Sequence, residues 1–154
     1  MEFVLESVVE FIIAMLASLS FAILFSAPKK ELLLCGFTGA LGWIVYFVMS
    51  HVGFDVILAS AVATFVLSVF TRIFAALRKK PVTVYLLTGI FPLVPGAGIF
   101  YTAYYLFIGD NSSAGAKGLL TFEIAGAMVL GIIFGFSIPQ KLFTKLGQLV
   151  HLLC

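Results

Sequence analysis

The residues hardest to explain by packing alone are Pro92, Pro95, Gly96 and Gly98, in the run FPLVPGAG. They stand in the middle of the uncharged stretch Pro81 to Gly109, whose central residue is Pro95. A proline has no N–H to offer the carbonyl four residues back, so Pro92 and Pro95 free the carbonyls of Thr88 and Phe91. If a second half-helix restarts at Pro95, a favoured first helical position, the N–H groups of Gly96, Ala97 and Gly98 become unpaired donors at a positive dipole end. Such donors suit a carboxylate, and the freed carbonyls suit an ammonium. Hydroxyls fall nearby: Tyr85 and Thr88 share one face of the first half, while Gly98, Tyr101, Thr102 and Tyr105 follow helical spacing on the second. Tyr101 and Thr102 lie closest to the break and are the expected ligand contacts, whereas Tyr85 and Tyr105 are expected in the interfacial aromatic belts. The alternative is a proline kink repaired locally by side chains and water, as many spanning helices tolerate.

Glu123 is the other residue with chemistry to offer. It is an acid set inside an apolar run, and ionisable groups at such positions are candidates for proton coupling. Read with a helix starting near Gly118, it is little more than a turn from the helix start, and reaching outer water is its ordinary reading. Cys35 and Cys154 lie far apart and read as small apolar side chains, neither metal ligands nor a redox pair. The sequence offers no nucleophile paired with a base, no metal-ligand spacing and no phosphate loop, so neither an enzyme nor a cofactor is expected.

The elements that must position these residues follow from composition. Hydrophobic residues make up 62% of the 154-residue chain and charged residues only 10%, and the mean hydropathy is +1.21. A soluble domain carries about 25% charged residues, so lipid is the expected solvent. A net charge of +2, with basic residues that form no stripe of their own, excludes nucleic acid as a partner. No stretch alternates with period two, which leaves helices to satisfy the backbone in lipid. The expected fold is all-α: one polytopic membrane domain over residues 1–154, with about five transmembrane helices at about 8–28, 32–53, 55–77, 81–109 and 118–140, the fourth broken at the Pro/Gly motif. The third reaches full length if the Arg72 stem lies in lipid and its guanidinium at the headgroups. GDNSSAGAKG reads as a turn between the fourth and fifth spans. From 141 to 154 a short amphipathic C-terminal helix is expected on the membrane surface, with Leu142, Leu146, Leu149 and Leu153 on one face.

Acidic residues at Glu2, Glu6 and Glu10 argue against a basic signal peptide and for a retained first span. Lys29, Lys30, Arg72, Arg78, Lys79, Lys80, Lys141 and Lys145 all fall at one side of the spans, and only Lys117 at the other. This bias places the N-terminus outside and the C-terminus in the cytoplasm. Gly36, Gly39 and Gly42 in the second span, and Ala127, Gly131 and Gly135 in the fifth, read as helix contact faces, with a sliding transport interface as the sharper alternative.

The segment RKKPVTVYLLTGIFPLVPGAGIFYTAYYLFIGD resembles the signature of the threonine/serine exporter family, and the chain is similar to the short, C-terminal-half subunit of its split two-chain form. The resemblance extends from GFTGALGWIVY to the glycine-rich last span. It implies a bacterial inner-membrane exporter, proton-driven, that works with a larger membrane subunit and moves threonine and serine or succinate-type dicarboxylates. The implied partners are that subunit, the lipid bilayer and a small carboxylate or amino-acid substrate, with a homo-oligomer left open. The competing expectation is a non-transporting scaffold whose fourth helix is merely kinked.

Overall fold

The computed structural model describes residues 2–143, and among them all regular structure is helical. Six α-helices follow one another: α1 (Glu2–Leu24), α2 (Leu32–Val52), α3 (Val56–Arg78), α4 (Val82–Ile90), α5 (Gly96–Phe107) and α6 (Asn111–Ser137). Short 3-10 turns at Lys29–Glu31 and Phe91–Leu93 precede α2 and follow α4. A further helical turn begins at Gln140; from Thr144 onward the expected surface helix lies outside the described residues. The chain turns at Gly53 and Gly109 with φ of 96° and 81°, values that glycine adopts without steric cost.

Between helices in lipid, apolar side chains gain nothing by leaving one another's company for lipid tails, so close backbone approach has to hold the bundle. Small residues provide it. In α1, Ala14, Ser18 and Ala22 are buried at four-residue spacing; Ser18 meets Gly39 of α2, and Met15 and Leu19 meet Gly36. Gly39 also touches Gly89 of α4, and Gly42 seats Leu67 of α3 and Leu93. On the far side, Gly131 and Gly135 of α6 lie against Ala61, Thr64, Phe65 and Ser68 of α3. The face α3 presents is itself small and hydroxylated, and Ser60, Thr64, Ser68 and Thr71 satisfy their hydroxyls on carbonyls three or four residues back. Thus α2, α3 and α4 form the middle, α1 flanks α2, and α6 flanks α3.

The register of these contacts settles how the broken pair travels. Ala61 and Thr64 meet Gly131, Ser68 meets Gly135, and Arg72 reaches Ile138, so α3 and α6 advance together and are parallel. By contrast Gly98 meets Thr121 and Thr102 meets Gly118, so α5 and α6 are antiparallel. Parallel α3 and α6 require that the chain between them cross once, which makes α4 and α5 one broken span and excludes a re-entrant loop. The two pieces meet at 52°, and four longer helices complete five crossings.

Helix limits differ from expectation at two places. Helix α1 begins at Glu2 and contains Glu10. Helix α6 begins at Asn111, so most of GDNSSAGAKG is helical, because Asp110 caps it by accepting the Ser113 amide at 3.1 Å. At 27 residues it is about 40 Å long, more than the ~30 Å hydrocarbon core requires, and so it is tilted or extends beyond it.

Candidate functional site

The break is built by its two prolines. Pro92 lies in the 3-10 turn, Pro95 caps α5 with φ −75° and ψ 57°, and helical geometry resumes at Gly96, one residue after the expected restart. Local bonds then repair part of the gap. The Val94 amide donates to the Phe91 carbonyl at 3.2 Å, and the Gly96 amide donates to the Val94 carbonyl at 2.7 Å. Neither the Phe91 acceptor nor the Gly96 donor is therefore free, contrary to expectation. The first bond inside α5 runs from Ile99 to Pro95 at 3.1 Å, which leaves the amides of Ala97 and Gly98 as the unpaired donors of this end.

Surroundings divide the expected ligand residues into two groups. Thr88 is buried on α4, where its hydroxyl donates to the carbonyls of Val84 and Tyr85. The Phe91 ring stacks on Phe21 of α1 at 4.1 Å between centroids. Beyond the break, Gly96 and Ala97 are exposed and nothing approaches within 4 Å of a side chain placed at Gly96. Gly98 instead presses on Thr121 of α6. The Thr102 hydroxyl bonds back to the Gly98 carbonyl at 2.7 Å, and Tyr101 is exposed in a ladder of rings with Phe100, Tyr104 and Tyr105. The structure thus brings Thr88 and Phe91 against the bundle, leaves Pro92 and Pro95 half-buried, and turns Gly96, Ala97 and Tyr101 outward. Glu123 stands exposed three turns into α6, not one, because that helix starts earlier than its apolar run.

Three polar clusters escaped the sequence reading. Tyr85 does not sit in an aromatic belt: it is fully buried, and its hydroxyl donates to Glu31 at 2.8 Å. Glu31 also accepts from Arg78 Nε at 3.1 Å and is 3% exposed, so one carboxylate ties α2, α3 and α4 together. The available signal was that Glu31 is the one acid in the basic segments. Arg72 does not extend outward from the bundle either. It is 7% exposed, and Nη1 donates to the carbonyls of Gly135, Phe136 and Ile138 at 2.8, 3.2 and 2.6 Å. A cation at those orphan carbonyls also meets the negative end of the α6 dipole, and this is why it turns inward. Finally, Glu10 lies within α1 and accepts the Trp43 indole N–H at 2.8 Å, so Glu123 is not the sole acid inside a spanning helix.

The large cavity of about 740 Å³ is an open apolar groove between α3 and α6, lined by Leu58, Phe65, Leu130 and Phe134 with Asp55 at one end. A smaller groove of about 490 Å³ runs between α5 and α6 past Thr102 and Thr121. The break opens onto the outside of the bundle at Gly96 and Ala97, and among the described residues the amides of Ala97 and Gly98 have no hydrogen-bond partner.

Comparison with known proteins adds two findings. The family model described as Threonine/Serine exporter, ThrE, matches residues 10–138. An uncharacterised protein of Haemophilus influenzae is 26% identical over 152 residues, covering 93% of this chain and 50% of that protein. The chain therefore spans about half the length of the curated relative it matches. No solved structure matches it.

Proposed function

The chain belongs to the threonine/serine exporter family, and from that premise we propose that it forms one half of a bacterial inner-membrane exporter for small carboxylate-bearing metabolites. The substrates are threonine and serine or succinate-type dicarboxylates, bound at the broken fourth span while the two halves rock between faces. The N-terminus lies outside and the C-terminus in the cytoplasm, because the basic residues gather at one end.

One observation carries this reading: among the described residues the amides of Ala97 and Gly98 have no hydrogen-bond partner, and the adjoining Gly96 is exposed. An unsatisfied backbone amide in hydrocarbon costs several kcal/mol. Such a site needs a solute, water or another protein surface over it, and a carboxylate on two amides at a helix N-terminus is the arrangement discontinuous helices provide. The larger partner subunit supplies the opposite wall. The relative, about twice the length of this chain, has room for a second half in one polypeptide. Proton coupling is proposed through Glu123, an exposed acid of α6.

The test is efflux from vesicles holding this chain and its partner, loaded with labelled threonine or succinate. Efflux of one of them is expected, and efflux of neither sinks the reading. Gly96→Ala is the informative variant because its side chain meets nothing in the chain. Assembly should persist while KM rises about tenfold, equivalent to about 1.4 kcal/mol of lost binding. Glu123→Gln should abolish the response of efflux to a pH gradient and leave solute exchange intact.

The scaffold reading keeps one observation of its own, since the Phe91 carbonyl and Gly96 amide are repaired by Val94. It requires transport to be indifferent to Gly96→Ala.

A further inference from the structure

At the basic end of the bundle, a cavity of about 210 Å³ lies between α3, the start of α4 and the residues after α6. Its polar lining is Arg72, Lys80 and Gln140, and its apolar walls include Val82, Phe136 and Phe143. None of these belongs to the break. The Arg72 guanidinium lies 4.4 Å from the Phe143 ring centroid and 5.5 Å from that of Phe136, and the residue is buried.

The charges here do not balance. Among the described residues no carboxylate lies within salt-bridge distance of Arg72 or Lys80; Glu31, the acid of the basic segments, is hydrogen-bonded by Arg78 and Tyr85 and attracts Lys80 only from farther away. Three carbonyls satisfy Nη1 of Arg72 as a donor, but carbonyl dipoles carry no net charge to neutralise a buried cation. Lys80 adds a second positive charge at the same cavity.

We infer that this cavity is a binding site for the carboxylate of a small aliphatic acid, distinct from the break. The carboxylate lies between Arg72 and Lys80 with Gln140 beside it, and the carbon chain lies against Phe136 and Phe143. The size suits this ligand class: about 210 Å³ equals the space of about seven waters at ~30 Å³ each, enough for a four-carbon acid and below the ~300 Å³ of drug-sized sites. The inference rests on the transport reading for its meaning, as the place where the solute first docks from the cytoplasm, but its binding can be measured without transport.

The experiment is equilibrium binding of labelled succinate to the full chain in phosphatidylcholine nanodiscs, with threonine as competitor. Saturable binding is expected, together with a loss of about tenfold in affinity for Lys80→Gln, as for one charge-assisted hydrogen bond. Lys79→Gln removes the same charge from a residue outside the cavity lining and should change affinity by less than about twofold. Arg72→Lys risks the α6 cap, so the Lys80 and Lys79 pair carries the test. Equal loss in both variants would mean diffuse attraction to a basic face, and no loss in either would mean Arg72 is only a helix cap; each overturns the site. Displacement of succinate by added phosphatidylglycerol would reassign the cavity to a lipid headgroup and also overturn it. If Lys80-dependent binding holds but vesicles with the partner export neither solute, the transport reading falls and the site stands. If export depends on Gly96 while succinate binding ignores Lys80, the reverse follows.

Discussion

The two halves of the fourth span have similar apolar composition and opposite surroundings. In α4, Tyr85, Thr88 and Gly89 are buried, wedged among α1, α2 and α3. In α5 no residue is buried, and the helix rests on α6 with no comparable contact elsewhere. Phe100, Tyr101, Tyr104, Leu106 and Phe107 all face outward. One half is anchored by close packing and a buried polar tie, and the other is anchored on one side only. The break therefore separates two pieces of unequal anchoring.

Substitutions can break or sharpen that contrast. The largest effect is expected from Gly89→Val in α4, where added atoms meet the backbone of Gly39 and Leu67. Overpacking of about 3 kcal/mol or more should appear as a marked fall in thermal midpoint in detergent. Next is Tyr85→Phe, which deprives the buried Glu31 of one donor and should cost about 1–3 kcal/mol by the same measurement. On α5, Tyr104→Ala should change the stability of the isolated chain by less than about 0.5 kcal/mol and yet reduce co-purification with the partner subunit. A stability loss equal to that of Tyr85→Phe would erase the distinction between the halves.

The smallest effect concerns the hairpin that holds α5 to α6. The Ser113 hydroxyl and amide hold the Asp110 carboxyl below the usual carboxylate range. A depressed folded-state pKa gives stabilisation that is present above the unfolded value of about 3.9 and lost as pH falls through the folded value. Amide exchange at Ser113 should therefore rise only below about pH 4, with the rest of α6 unaffected.

Legibility in the sequence followed the same divide between local and distant causes. Hydropathy alone marks the five apolar stretches, and PLVPGAG marks the break, since proline acts on its own backbone wherever it stands. The repair by Val94 was less visible, because it depends on the ψ adopted at Pro95 and not on residue type. The start of α6 was hidden by glycine and serine, although Asp110 three residues before Ser113 is a capping signal that overrides them. Tyr85 and Arg72 were misplaced for a different reason. Each was assigned to the membrane surface by its type, and each turns inward because another helix offers Glu31 or the α6 carbonyls. No window of neighbouring residues contains that information.

The bond between Trp43 and Glu10 has a practical side. The chain holds a single tryptophan, and its indole sits on a carboxylate across the α1–α2 contact. Indole emission responds to a nearby charge, so any rotation of the first helix against the second would register as a colour shift in the unlabelled protein. A rotation of that kind would be readable in a fluorimeter without any added label.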